Sequence, residues 1–327
     1  MIDSSRQKYS DSCGDGSVTL SLVVPVFNEV ETVSPFLDSV AQVFGKIPSI
    51  NLDIVFVNDG SSDNTLECLL ELQQGNQSVR IVDLSRNFGK EAALTAGLKA
   101  ATGRVVVPID VDLQDPPELI LNMLDKWREG FDVVLGKRCS RDLDSWAKKH
   151  SANWFYRIHN KISTQVIPEN VGDFRLMDRA VVDALNELPE SCRFMKGLFA
   201  WVGFRTATVE YARPERIAGT TKFNGWRLWN FALEGLTSFS TNSLRIWTYL
   251  GGVIALTSLC FAIFVVLRSL IQGIDLPGYA SVIVSITFIG GLQLIGIGVI
   301  GEYLGRTYIE SKRRPIYLVR SIYEAKD

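Results

Sequence analysis

The stretch PIDVDLQDPPE, residues 108–118, sets Asp110, Asp112 and Asp115 within six residues, directly after the apolar run Val105–Val107. Carboxylates this dense repel one another and lose solvation wherever they are partly buried, so they demand positive charge. Asp110 and Asp112 are two apart, which puts them on one face of an extended chain. Two such carboxylates can hold a magnesium-type ion together with the phosphate oxygens of a ligand. A plainer reading stays open beside it: a solvated turn, since Asp115-Pro116-Pro117-Glu118 has the composition of a helix start.

The elements around the acids give them company. Apolar runs of strand length recur at Leu20–Val26, Ile54–Val57, Arg80–Leu84, Val105–Ile109 and Val133–Leu135. Between them lie helical periods over Val30–Phe44, Thr65–Leu72, Lys90–Ala101 and Pro117–Glu129. This alternation predicts an α/β domain, a mostly parallel sheet with helices on both faces. Ligands of such sheets bind at the carboxyl ends of the strands. Those ends carry Pro25-Val-Phe-Asn28-Glu29, then Asn58-Asp59-Gly60-Ser61-Ser62-Asp63, then Ser85-Arg86-Asn87-Phe88-Gly89-Lys90, then the acid cluster. Four polar loops on one sheet edge predict a site. Asp63 also fits as the N-cap of the helix after it. Arg86 and Lys90 suit phosphates or a solvated helix start.

Several classes are disfavoured. No GxGxxG follows the first strand and no GxxxxGK[ST] occurs, so a dehydrogenase of the usual kind and a P-loop NTPase fit poorly. If a nucleotide binds, carboxylates rather than glycines meet it, and a divalent cation removes the clash with its phosphates. The formal net charge of -2 gives no global basic character for nucleic acid. Cys13, Cys68, Cys139, Cys192 and Cys260 are scattered, odd in number and free of CxxC pairing, which points to a reducing compartment and away from a zinc site. His150 and His159 are too far apart to pair as metal ligands. Residues 1–18 read as a flexible polar tail with no apolar leader segment.

The last third changes character. Ile246–Leu267 and Tyr279–Ile300 each run 22 residues without a charge, the length of a membrane-spanning helix. Lys222, Arg227 and Arg245 lie before them, and Arg306, Lys312, Arg313, Arg314 and Arg320 after. The basic flanks predict a helical hairpin with both ends cytoplasmic and the short loop outside. Residues 19–223 then form a cytoplasmic catalytic domain, 224–245 a juxtamembrane amphipathic helix, 246–300 the hairpin and 301–327 a cytoplasmic tail, in the plasma (inner) membrane. Trp146–Ile162 and Gly225–Leu236 mix aromatics with Lys and Arg and read as interfacial or as ordinary packing. Gly290, Gly291, Gly296, Gly298, Gly301 and Gly305 let helices approach closely, within the hairpin or between copies.

The motifs VVPVFNE (23–29), VNDGSSDNT (57–65), RNFGKEAAL (86–94) and DVDLQDPPE (110–118) together resemble the family-2 glycosyltransferases. GDFRLMDR (172–179) and RIAGTTKF (216–223) narrow the resemblance to the polyprenyl-phosphate glycosyltransferases, which include dolichol-phosphate mannose synthase. With the two apolar segments the chain looks like the bacterial branch that makes polyprenyl-phosphate glucose. The Q-x-x-R-W motif of processive synthases is absent. The resemblance implies a GT-A fold and inverting transfer of one hexose from a sugar nucleotide, UDP-glucose first, to polyprenyl phosphate. It implies that Pro25, Asn28, Glu29 and Asp59 hold base and ribose, with Lys90, Asp110 and Arg138 also on the nucleotide sugar. It implies Mg2+ or Mn2+ on Asp110, Asp112 and Gln114. Asp173 is then the base or the sugar-orienting carboxylate, acting with Asp112, Arg216 and Lys222, the last two on a loop that closes over phosphate. Arg175 would meet a phosphate or pair with Asp178 on a helix face. A homo-oligomer is implied, with a tetramer as the size indicated. Other donors, GDP-mannose or a UDP-amino-sugar, stay open, as does a non-enzymatic membrane scaffold retaining the fold.

Overall fold

The computed structural model describes residues 17–138, 171–191, 193–212 and 278–324, with isolated positions between 253 and 271. Arg216, Lys222, the stretches Trp146–Ile162 and Gly225–Leu236 and nearly all of 246–267 lie outside the described residues. Fifteen elements follow in order: β1 Val18–Val26, α1 Val30–Phe44, β2 Ile50–Asn58, α2 Thr65–Gln74, β3 Val79–Leu84, α3 Lys90–Ala100, β4 Val105–Pro108, α4 Leu119–Arg128, β5 Val133–Arg138, β6 Val171–Asp178, α5 Arg179–Glu187, α6 Met195–Trp201, β7 Thr206–Tyr211, α7 Tyr279–Ser311 and β8 Val319–Tyr323.

The eight strands form one sheet in the order β7-β5-β6-β4-β1-β2-β3-β8. Strands β4, β1, β2 and β3 are parallel, as their continuous apolar runs require when both faces are covered. Helices α1, α2 and α4 cover one face through Val33, Phe36, Leu69, Ile120 and Met123. Helices α3, α5 and α6 cover the other through Leu94, Leu98, Val182, Met195 and Leu198.

Three strands depart from the expected pattern. β6 enters antiparallel between β4 and β5, so Arg175 does not share a helix face with Asp178. The two lie three apart on a strand, on opposite faces. Asp178 instead pairs with Arg104 at 3.1 Å and accepts from the Ala180 amide at 3.0 Å, capping α5. β7 joins the outer edge parallel to β5. β8, within the stretch expected as a tail, returns from α7 and pairs antiparallel with β3.

Among the described residues no helix is long and apolar enough to cross a membrane. α7 nevertheless runs unbroken for 33 residues, and several residues within it have side chains outside the described set. The hairpin expected over 246–267 and 279–300 is therefore not demonstrated by the described residues.

Helix α3 matters most for the site, because it begins at Lys90. Its Gly97 presses on the sheet: a Cβ there would stand 2.3 Å from Val23 Cγ1 and 3.0 Å from Val57 Cγ2. Gly97→Ala should destabilise the protein by about 1–3 kcal/mol through overpacking, read as a fall in melting temperature of the purified protein. An unchanged melting temperature would show that α3 is not seated this closely.

Candidate active site

The four loops after β1 to β4 meet at the carboxyl edge of the sheet, around a cleft of about 310 Å³. Pro25, Glu29, Asp59, Lys90, Asp110 and Asp112 all line it, with Asn87 and Gly89. The turns that bring them there are tight. Asn28 has φ 54°, Gly60 φ 65° and Leu113 φ 56°. At Gly60 a Cβ would stand 2.4 Å from the Arg86 carbonyl carbon, so only glycine lets the second and third loops touch.

Polar side chains lock these loops together. The Asn28 amide donates to Ser61 Oγ at 3.0 Å, and Asn28 Oδ1 accepts from the Ser62 amide at 2.8 Å. Glu29 N donates to Thr65 Oγ1 at 3.0 Å. Asp63 accepts from the Thr65 amide at 3.1 Å, a local turn bond, but it is not the N-cap expected for it: that position is Asn64, which makes no side-chain cap. Asp59 is buried and accepts from the amides of Phe88 at 2.7 Å and Gly89 at 2.9 Å. Burial pushes its carboxyl up against the pull of those two amides. Asp59 thus organises the third loop while keeping lone pairs for a ligand in the cleft.

Positive charge comes to the acids from α3. Lys90 Nζ lies 2.7 Å from Asp110 and 3.1 Å from Asp173. Burial pulls the ammonium down, but the two carboxylates outweigh it and hold it above the ordinary lysine range. Burial alone would raise Asp173; Lys90, then Lys196 and Arg175, bring it down to about 2. Asp173 is therefore an ionised carboxylate whose Oδ1 is buried and lacks a hydrogen-bond partner among the described residues.

The remaining predicted residues sort differently. Asp112 lines the cleft and accepts from the Gln114 amide at 3.2 Å. Gln114 itself is buried and is not among the residues lining the cleft; its Oε1 lacks a partner among the described residues. Asp115 does not cap α4, whose N-cap Glu118 makes no side-chain cap. It is buried and accepts from the Tyr211 hydroxyl, tying the acid loop to β7. Arg138, at the end of β5, is held to Tyr211 and feels Asp115 and Asp110; these carry it above its ordinary value despite burial. Arg175 donates to the Gly172 carbonyl at 2.7 Å and stacks on Phe199 at 3.8 Å.

Among the described residues no group of three His, Cys, Asp or Glu is placed to hold a metal. A divalent ion on a nucleotide needs only one or two carboxylates, the rest coming from phosphate and water. Asp110 and Asp112 in the cleft wall meet that requirement.

Residues 21–185 match the family described as glycosyl transferase family 2, a range that runs from within β1 to within α5 and holds the four loops of the cleft. The chain belongs to glycosyl transferase family 2. It is 53% identical over 303 residues to the prophage bactoprenol glucosyl transferase homolog of Escherichia coli (strain K12), covering 93% of this chain and 99% of that protein. It is 52% identical over 302 residues to the bactoprenol glucosyl transferase of Shigella phage SfV, covering 92% and 98%. An uncharacterized glycosyltransferase of Synechocystis sp. is 51% identical over 307 residues, covering 94% and 96%. The mostly parallel sheet with its ligand edge is the GT-A fold of a glycosyltransferase.

Sequence reasoning missed Glu91 beside this glycosyltransferase site. Glu91 follows Lys90 and accepts from the Met195 amide at 3.2 Å, joining α3 to α6. Burial first, and Asp173 second, push its carboxyl up to about 7. Its place in the first turn of a helix gives only the ordinary signal of an acid near a helix dipole. The folded state holds this proton more tightly than the unfolded chain does. That contribution is full below the ordinary value of 4.5 and is lost as pH rises through about 7. Glu91→Gln stays neutral and keeps an acceptor for Met195. Its melting temperature relative to the native protein should therefore climb between those two pH values; a flat difference would mean that Glu91 titrates normally.

Proposed function

We propose that this glycosyltransferase moves one glucose from UDP-glucose to a polyprenyl phosphate at the cytoplasmic face of the plasma membrane. The observation that carries the reading is the acid-lined cleft beside the Lys90-bridged pair Asp110 and Asp173. The names of the relatives at 52–53% identity support the sugar and the lipid class.

The acceptor is a phosphate monoester whose second pKa is near 6, so it arrives largely as the dianion. Its oxygen attacks the anomeric carbon from the face opposite the leaving group. The new O–C1 bond forms as the C1–O bond to UDP breaks, the electron pair stays on the diphosphate, and the configuration inverts. No proton has to be removed. Asp173, kept ionised beside the Lys90 ammonium, orients the sugar and faces positive charge developing at C1 in this reading. Pro25, Asn28, Glu29 and Asp59 frame the base and ribose, and Lys90 and Arg138 lie toward the phosphates. Asp110 and Asp112 would hold Mg2+ or Mn2+, which when bound neutralises the diphosphate and stabilises it as leaving group. Arg216 and Lys222 supply further phosphate contacts in this reading, and Gln114, on the same loop as Asp112, belongs with the metal set.

The membrane reading rests on sequence and exposure together. Residues 246–267 and 279–300 are free of charge. The second segment belongs to a helix that, at about 1.5 Å per residue, is roughly 50 Å long, against a hydrocarbon core of about 30 Å. Its Val282, Ile286, Leu294 and Ile297 are 56–70% exposed, a cost in water and none in lipid. Among the described residues nothing stands within 4 Å of a Cβ built at Gly290, Gly291, Gly298, Gly301 or Gly305. That open stripe suits a second copy in a homo-oligomer.

Purified protein in detergent, given polyprenyl phosphate and labelled UDP-glucose, should put label into the organic phase, and EDTA should stop it. Asp112→Asn should lower the rate by about a hundred-fold or more, as loss of a transition-state charge contact does. Label arriving from GDP-mannose instead would replace the donor. Label from neither would sink the reading.

A further inference from the structure

The end of β3 buries a carboxylate that the proposed reaction does not use. Asp83 is fully buried beside Asn58, its neighbour on β2. Its Oδ1 accepts from Asn58 Nδ2 at 2.8 Å. Its Oδ2 has no hydrogen bond among the described residues, and the cation beside it there is Arg320 of β8, 3.4 Å away. An apolar side chain would pack this position at lower cost, because a buried carboxylate is tolerated only beside a counter-charge.

The carboxylate orients an amide. An ionised carboxylate only accepts, so Asn58 turns Nδ2 toward Asp83 and Oδ1 the other way. Oδ1 then accepts from the Ser61 amide at 3.2 Å, and Ser61 Oγ accepts from the Asn28 amide at 3.0 Å. Asp59, which lines the cleft, lies inside the turn that the Asn58–Ser61 bond closes.

Arg320 acts on the third loop as well. Its Nη2 donates to the Ser85 carbonyl at 2.9 Å, and the Ser85 amide donates to the Leu318 carbonyl at 2.9 Å. Both backbone groups of that loop's first residue are thus held from the C-terminal segment. Asn87 and Gly89 of the loop line the cleft. Its Arg86–Asn87 backbone lies so close to Gly60 that a Cβ there would not fit, so a shift at Ser85 is felt in the second loop too.

We propose that Arg320 is a positioning residue for the nucleotide: by pairing with Asp83 and holding Ser85 it sets the second and third loops of the cleft, which couples the seating of β8 to the binding of a nucleoside diphosphate. The proposal rests on the glucosyl-transfer reading for the identity of that nucleotide. Arg320 is not among the residues lining the cleft, so it acts through Asp83 and Ser85. Its side chain is 56% exposed; water replaces part of its charge when it is removed, and the effect is moderate.

The test uses the full-length protein in detergent with Mn2+, and measures calorimetric binding of UDP and of GDP beside transfer kinetics. Arg320→Gln should weaken UDP binding and raise KM for UDP-glucose roughly three- to ten-fold, with kcat within about two-fold of native. Arg320→Lys should recover part of the loss. Adding Asp83→Asn to Arg320→Gln should also recover affinity, because a neutral amide needs no counter-charge; a strand that merely sealed the sheet edge would give a double variant weaker than the single one. By linkage, saturating UDP should slow amide exchange across Val319–Tyr323 in the native protein and do so less in Arg320→Gln. Unchanged UDP affinity in Arg320→Gln, a double variant weaker than the single, or exchange at β8 indifferent to UDP would each overturn the proposal. If UDP binds and Arg320→Gln weakens it while no glucose is transferred, the positioning role stands and the transfer reading falls. Binding of GDP in place of UDP, with the same response to Arg320→Gln, supports the positioning role and replaces the donor.

Discussion

The ammonium of Lys90 is the group on which the site depends. Asp110 comes from the end of β4 and Asp173 from β6, on neighbouring antiparallel strands. Two carboxylates brought this close at a half-buried edge would each favour protonation. One cation between them at 2.7 and 3.1 Å lets both stay ionised. The rest of α3 serves that placement. Gly97 seats the helix against Val23 and Val57, and Glu91 ties its first turn to α6. Because the Lys90 side chain keeps 45% exposure, it can turn toward an incoming phosphate as the acids acquire another counter-charge.

This arrangement explains why an antiparallel strand interrupts the sheet. A parallel strand delivers its last residues to the ligand edge, and the four loops after β1 to β4 do this. β6 runs the other way, so its first residues, Val171 to Asp173, reach the same edge. Its last residues turn at once into α5, where Asp178 caps the helix. One strand thus carries an ionised carboxylate to Lys90 at the cleft and an arginine two residues deeper, on the same face.

The first half of the chain was legible because its physics is local. Continuous Val and Ile runs make buried parallel strands, and α1 was readable to the residue from its apolar period, Val30–Phe44. Proline, glycine and acid at each strand end announced the cleft, and Pro25, Glu29, Asp59, Lys90, Asp110 and Asp112 all line it. The second half resisted for identifiable reasons. GDFRLMD puts charges at alternate positions on a strand whose charged face is buried against other charges, so it reads as a loop. TATVEY alternates as an edge strand does, a signal present but outweighed by the long apolar runs elsewhere. VRSIY pairs with β3 from more than 230 residues away, and nothing local announces such a partner. Glu91 and Lys196 look like ordinary helix-surface charges until β6 brings Asp173 and Arg175 beneath them.

β8 gives the C-terminal segment a mechanical part as well. On leaving α7 the chain meets Ser191 through Glu310, then packs Tyr317 against the apolar cluster that includes Val82, Leu84 and Ala96, and finally joins the sheet beside β3. Arg320 adds a bond to the Ser85 carbonyl at 2.9 Å and lies 3.4 Å from Asp83. The end of α7 is thereby fixed to both halves of the catalytic domain, to α6 on one side and to the third loop of the cleft on the other. A helix that only tethered an enzyme would need a single flexible join. Attachment at several points fixes the height and tilt of the site relative to the helix. The anchor proposed for α7 would put such a fixed height and tilt to use, because an acceptor phosphate in a bilayer lies at a fixed depth.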